Sequence, residues 1–230
     1  MDFSLDSWMQ EYRQAVERCF GERIWFLGLQ GSYGRGEATA ESDIDVVLIL
    51  DRLQPEDLQA YSRLLDTLPR REKVCGFVSG RGELLAWDPS DLFQFYYDTT
   101  PVKGSLEELR KQIRQEDIGR AIHLGACNIY HGCAHNLVHE KSREILQGLY
   151  KSAVFTLQAI AFLRTGAYCK RREELRAQLL TEERRILEIG RRLKETSSLS
   201  EEELAADSAP LLEWAAEWVR KGPGGALPCP

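Results

Sequence analysis

The chain has 230 residues, 43% of them hydrophobic, a formal net charge of −6 and a pI of about 5.4. That length suits one large domain or two small ones. The acidic balance disfavours nucleic-acid binding through an overall basic surface. No stretch approaches the roughly 20 apolar residues of a membrane-spanning helix, and the acidic N-terminus does not resemble a signal peptide. Six scattered cysteines are typical of reduced thiols, so we expect a cytoplasmic protein.

The first half of the chain reads as alternating helices and strands. Apolar residues four apart, from Trp8 to Phe20, predict an opening helix over residues 5–21. A second helix is predicted to begin at Pro55. Short apolar runs predict buried strands at residues 23–30, 44–50 and 73–80. Residues 83–104 fit either short helices or a strand that includes Phe93 to Tyr97.

The second half has helical periodicity from Leu106 to Leu193 and no convincing strand. A serine N-cap at Ser200 starts a last helix through Trp214 and Trp218. We therefore expect an α/β domain over residues 1–105, a helical domain over 106–221 and a frayed tail over 222–230.

The turn "GSYGRG" that follows the first predicted strand has features of a phosphate-binding loop. Gly31 allows the backbone to approach a bulky anion, and Ser32 offers a hydroxyl and an amide donor. Arg35 could add a permanently charged phosphate ligand. Glycine-rich turns are common, so this turn by itself is a weak signal.

Two acids, Asp43 and Asp45, open the next predicted strand. Alternate residues of a strand share a face, so their carboxylates should lie on one side of the sheet. Carboxylates this close repel each other, and a divalent cation such as Mg²⁺ removes the repulsion. The alternative is a solvated, polar strand end.

Together, the turn and the acid pair would set metal ions beside phosphates, which is the arrangement that nucleotidyl transfer requires. The stretch resembles the signature of the DNA polymerase β-like nucleotidyltransferase superfamily: a hydrophobic residue, Gly-Ser, a spacer, and Asp-x-Asp flanked by hydrophobic residues. In this sequence the matching positions are Leu29, Gly31, Ser32, the spacer Tyr33 to Ser42, Asp43, Asp45 and Val46. The layout is similar to small two-domain members such as kanamycin nucleotidyltransferase and the minimal nucleotidyltransferases.

The resemblance implies a fold and a set of roles. The fold is an α/β (α+β) domain with a short mixed sheet, followed by an all-α helical bundle. Gly31, Ser32 and Arg35 would hold the triphosphate, while Asp43 and Asp45 would bind two Mg²⁺ ions. The superfamily also uses a third carboxylate from a later strand, but the third predicted strand contains no acid. The candidates are Glu83, which we favour, Glu72 and Asp98.

A row of histidines, His131, His135 and His139, follows one predicted helix at four-residue steps. Neighbours at this spacing can share a Zn²⁺ ion. The alternative is a polar stripe on the helix.

These observations lead to two functional hypotheses. The first is a Mg²⁺-dependent enzyme that transfers AMP from ATP to a hydroxyl of an aminoglycoside-like small molecule or of a protein. Its partners are the nucleotide and the acceptor, without membrane or nucleic acid, and a homodimer is compatible with the sequence. The second is a non-catalytic, nucleotide-binding or antitoxin-like module, which the missing third acid would favour.

Overall fold

The computed structural model describes residues 3–225, which divide into two compact units. The first unit extends to Asp88 and also contains Phe95–Gln112. The second unit contains Pro89–Gln94 and the chain from Ile113 onward. The helix Pro89–Asp98 therefore contributes residues to both units.

The first unit is built on a mixed four-stranded sheet. Its strands are β1 (Ile24–Gln30), β2 (Ile44–Leu50), β3 (Val74–Gly80) and β4 (Thr100–Lys103). They lie in the order β3-β2-β1-β4. β1 runs antiparallel to both β2 and β4, whereas β2 and β3 are parallel. The predicted short mixed sheet is confirmed.

Helices precede, connect and follow these strands in the first part of the chain. They are α1 (Leu5–Phe20), α2 (Gly31–Arg35), α3 (Pro55–Leu65), α4 (Arg81–Leu85), α5 (Pro89–Asp98) and α6 (Glu107–Arg110). Single 3₁₀ turns occupy Gly21–Arg23 and Arg71–Lys73. The ambiguous stretch at 83–104 is thus mostly helical, and the alternative of a strand through Phe93 to Tyr97 is wrong. Only its last residues, from Thr100, pair with the sheet.

One face of the sheet packs against α1 and α3. Their buried residues form a single core with alternate side chains of the strands, among them Leu29 and Val46. Inside this core the hydroxyl groups of Tyr12 and Tyr61 are hydrogen-bonded at 2.9 Å. The indole of Trp8 donates to the carbonyl of Pro69 at 2.8 Å, which ties the start of α1 to the chain beyond α3. The apolar spacing in α1 therefore has the predicted role of covering the sheet.

The second unit consists of helices and turns, with no strand between Glu107 and residue 225. The predicted all-helical second part is confirmed. Its helices are α7 (Gln115–His135), α8 (Arg143–Thr165), α9 (Arg172–Gln178), α10 (Thr181–Glu195) and α11 (Glu201–Lys221). A π-helical turn, Asn136–Glu140, continues α7. Ser200 caps α11 as predicted.

Polar anchors hold the connections between these helices. The fully buried amide of Asn136 donates to the carbonyl of Ser142 and accepts from its amide, both at 2.9 Å. Arg164 of α8 forms an ion pair with Glu183 of α10 at 2.6 Å, and Glu183 is itself buried. A buried carboxylate is stable only with such a partner, so this pair fixes α8 against α10.

None of the helices in residues 3–225 combines the length and apolar character needed to cross a membrane. Of the predicted tail, residues 222–225 form turns, and residues 226–230 lie outside the described part of the chain.

The close approach of β3 to β2 requires a glycine at position 76. Gly76 has φ of +137°, and a Cβ there would stand 1.9 Å from the carbonyl oxygen of Val46. We expect Gly76→Ala to lower the free energy of unfolding by about 2 kcal/mol or more, since this backbone region is strained for other residues.

Urea denaturation measures the effect, with Gly82→Ala as the control. Gly82 lies in α4 with nothing within 4 Å of an added Cβ. There alanine should be neutral or stabilising by up to about 1 kcal/mol. Equal midpoints for the two variants would contradict the close contact between β2 and β3.

Candidate functional site

The end of β1 and the start of β2 meet at one edge of the sheet. Gln30, the last residue of β1, is paired with Asp45, the second residue of β2. The chain then turns at Gly31 into the short helix α2. The antiparallel register therefore brings the predicted phosphate turn next to the predicted metal ligand.

Gly31 is in direct contact with Asp45. Its φ is +64°, a left-handed conformation that favours glycine, and a Cβ there would lie 1.8 Å from Oδ2 of Asp45. The space that a side chain would fill is thus occupied by the carboxylate. Glycine is needed here because the carboxylate of Asp45 occupies the space beside the backbone of Gly31. We call this place, where Gly31 meets Asp45, the corner.

Ser32 follows Gly31 in the chain, and Asp43 lies two residues before Asp45. Asp43 is exposed and directly precedes β2, so it lies just outside the strand that contains Asp45. Asp45 and Ser32 are both half-buried. The two carboxylates supply the hard oxygen ligands that Mg²⁺ prefers, and one or two such groups together with substrate phosphates meet its usual requirement. The donor set fits a nucleotide-bound magnesium ion.

The structure gives Arg35 two carboxylate partners. Its guanidinium lies 3.2 Å from Asp98 and 3.4 Å from Glu37, and its side chain is only 11% exposed. The side chain of Asp98 is 9% exposed. The contact with Asp98 fastens the end of α2 to the last residue of α5. Arg35 is therefore engaged within the protein, whereas the sequence suggested a phosphate ligand.

A hydrogen bond beside this ion pair joins β1 to the same segment. The amide of Gln30 donates to the hydroxyl of Thr99 at 2.7 Å. Thr99 in turn donates to the carbonyl of Phe95 in α5. The turn after β1 is therefore held by two polar contacts, from Arg35 to Asp98 and from Gln30 to Thr99.

The predicted third carboxylate, Glu83, is not brought to Asp43 and Asp45. Asp45 is paired with Cys75 at the start of β3, whereas Glu83 follows Gly80 at its far end. At ~3.3 Å per residue, Cys75 and Gly80 are about 16 Å apart along β3. The carboxylate of Glu83 instead lies over Gly80, where an added Cβ would be 2.1 Å from Oε2.

The other two candidates do not complete a metal site either. Glu72 is exposed in the 3₁₀ turn before β3, and Asp98 is paired with Arg35. Within residues 3–225 no group of three His, Cys, Asp or Glu side chains could hold a metal ion. Of the predicted acids, Asp45 is the one in contact with Gly31, and Asp43 lies two residues before it in the chain.

The residue that sequence reasoning missed is Cys75. It is the direct neighbour of Asp45 across the parallel pair of strands, and it is exposed and forms no disulfide. Asp45 is the second residue of the predicted strand 44–50, whereas Cys75 is the third residue of the predicted strand 73–80. Alignment of these strands from their first predicted residues would have paired Asp45 with Val74, so only the structure reveals the pairing of Asp45 with Cys75.

The histidine row lies on α7 and the π-helical turn. The ring centroids of His131 and His135 are 6.1 Å apart, and those of His135 and His139 are 4.8 Å apart. The Nε2 atom of His135 lies 3.4 Å from a carboxylate oxygen of Glu140. All three histidines are exposed. The described residues contain no group of three potential metal ligands here, so the polar-stripe interpretation is the better supported one.

Comparison with known families identifies the first part of the chain. The family model described as "Nucleotidyltransferase domain" matches residues 9–118. That range contains the sheet and the corner around Asp45. The chain therefore contains a nucleotidyltransferase domain, and the resemblance to the DNA polymerase β-like superfamily is confirmed.

Solved structures support the fold. The crystal structure of spectinomycin adenyltransferase AAD(9) from Enterococcus faecialis with ATP and spectinomycin matches with a TM-score of 0.61 at 15% identity. The match covers 93% of this chain and 100% of that chain. A nucleotidyltransferase-like protein from Exiguobacterium sibiricum 255-15 has a TM-score of 0.36 at 13% identity, covering 94% of this chain and 77% of that chain. No curated protein sequence matches this chain.

The contacts of Arg35 predict a loss of stability on its removal. Arg35→Met leaves the buried carboxylate of Asp98 without its partner, which should lower the free energy of unfolding by about 3 kcal/mol. The double variant Arg35→Met/Asp98→Asn should recover part of that loss, because the uncompensated charge is gone.

Urea denaturation again provides the measurement, and Arg13→Met is the matched control. Arg13 is 53% exposed and forms a surface pair with Glu17, so its loss should change stability by no more than about 1 kcal/mol. An Arg35→Met variant that is as stable as this control but binds nucleotide poorly would instead support direct phosphate contact.

Proposed function

We propose that this protein is a Mg²⁺-dependent nucleotidyltransferase that transfers AMP from ATP to a hydroxyl group of an acceptor. The observation that carries the proposal is the contact between Gly31 and Asp45 within a nucleotidyltransferase domain. It joins a backbone turn able to accept phosphates to a carboxylate able to hold their counter-ion. The fold likeness to an adenyltransferase whose structure includes ATP favours adenylate as the transferred group.

In this proposal each residue of the corner has a separate task. The backbone of Gly31 and the hydroxyl of Ser32 bind and orient the triphosphate. Asp43 and Asp45 hold the divalent cation, which when bound neutralises phosphate charge and polarises the α-phosphate. Arg35 acts indirectly, by fixing α2 through Asp98 and Glu37. Because phosphoryl transfer depends mainly on positioning and charge, these few groups are sufficient for nucleotide activation.

The acceptor is proposed to be a small molecule of the aminoglycoside type. The support is the fold likeness to spectinomycin adenyltransferase, which covers most of both chains. A hydroxyl of a protein side chain is the other acceptor that the same chemistry would allow.

A non-catalytic nucleotide-binding module is the second candidate, and one observation favours it. The described residues contain no trio of potential metal ligands, so the corner has one acid fewer than its superfamily uses. The two candidates agree on nucleotide binding and differ in turnover. Pyrophosphate release in the presence of an acceptor would therefore decide between them.

The central test is the variant Asp45→Asn. Loss of the carboxylate should abolish the Mg²⁺-dependent part of nucleotide binding and lower turnover by about 100-fold or more, since several kcal/mol of charge stabilisation disappear. Binding is measured as a thermal shift with each of the four NTPs, with and without Mg²⁺. Nucleotide at about 100 times its Kd should add roughly 2.7 kcal/mol to the stability of the wild type.

Asp51→Asn is the matched control. Asp51 follows the opposite end of β2, and its ion pair with Arg23 is largely exposed. The same substitution there should leave the shift and the turnover unchanged. Turnover is followed as pyrophosphate release with spectinomycin and a panel of aminoglycosides. Equal activity of Asp45→Asn and Asp51→Asn would refute the assignment of the metal ligand.

A further inference from the structure

The parallel pairing of β2 and β3 sets Cys75 directly beside Asp45. Paired residues of neighbouring strands have their side chains on the same face of the sheet. Cys75 is exposed and its thiol is free. The sheet position that flanks the Asp45 carboxylate from β3 is therefore occupied by a thiol and not by an acid.

The other nearby acids do not compensate for this. Glu83 belongs to the far end of β3, and Asp98 is held by the guanidinium of Arg35. In the part of the chain that the structure describes, no third ligand joins Asp43 and Asp45. The protein thus offers two carboxylates to the cations that accompany a nucleotide.

Charge balance limits what two carboxylates can hold. Two divalent cations in a shared site stand about 4 Å apart and repel each other, so their stability depends on the surrounding anionic ligands. A single Mg²⁺ ion is usually satisfied by one or two carboxylates, substrate phosphates and water. The two carboxylates available here match the requirement of a single Mg²⁺ ion.

On the basis of the proposed function, we propose that this protein binds one divalent cation with its nucleotide, and that Cys75 is the position that excludes a second. The single cation is bound by the phosphates of the nucleotide and by the carboxylates of Asp43 and Asp45. The acceptor hydroxyl then has no cation of its own, so the wild-type protein transfers slowly. An acid at position 75 completes a site for the second cation.

The experiment counts bound Mn²⁺ in the full-length protein. Free Mn²⁺ is followed by its electron paramagnetic resonance signal while the metal is titrated into protein saturated with a non-hydrolysable ATP analogue. The variant Cys75→Asp supplies the additional carboxylate. Cys75→Asn has the same shape without the charge and is the matched control. Because Cys75 is exposed, we expect both variants to fold, which urea denaturation verifies.

The expected result is one Mn²⁺ per chain for the wild type and for Cys75→Asn, and two for Cys75→Asp. Pyrophosphate release from ATP should be at least tenfold faster in Cys75→Asp than in Cys75→Asn, which differs from it only in the charge. Two Mn²⁺ ions in the wild type would overturn the proposal, and this count does not depend on whether a variant folds. A single ion in a folded Cys75→Asp would overturn the role of position 75.

Failure of the proposed function has a different signature. If the ATP analogue produces no thermal shift with Mn²⁺ in either the wild type or Cys75→Asp, the protein does not bind nucleotide at this corner. The proposed function and this inference then fall together. A clear shift accompanied by two bound ions in the wild type leaves nucleotide binding intact and removes only the inference.

Discussion

The contact between the carboxylate of Asp45 and the backbone of Gly31 is the constraint on which the candidate site depends. It exists because Gln30 is paired with Asp45 in the antiparallel register of β1 and β2. The hydrophobic core sets that register. Leu29 and Val46 face α1 and α3, so a slip of one residue would turn Asp45 into the apolar core and Val46 out of it. Burial of the core thus fixes the position of the acid.

Polar contacts to the segment before β4 hold the turn at Gly31 in place beside Asp45. Arg35 binds Asp98, and Gln30 binds Thr99, so the helix after the turn and the end of β1 are both tied to the segment before β4. The cost of burying the charges is offset because they are paired. α2 has only five residues and little stability of its own, so these contacts maintain its shape.

The site has fewer acidic side chains than its fold family would suggest. The nucleotidyltransferase domain contains the glycine turn and a pair of carboxylates, but the neighbouring strand presents the thiol of Cys75 beside them. Under the proposed function, this site would therefore supply groups for a nucleotide and its counter-ion but, among the residues that the structure describes, no third acid for an acceptor.

Local patterns in the sequence determined the strands, the long helices and the helical character of the second part, because hydrophobic periodicity is a short-range property. Motif spacing also singled out Gly31 and Asp45, which the structure brings into contact. Only the tertiary structure decided which distant residues meet at that corner. In the structure, Glu83 lies at the far end of β3, Arg35 forms an ion pair with Asp98, and Cys75 is paired with Asp45. Such neighbours follow from strand order and register, which depend on packing across the whole sheet and cannot be read from one segment.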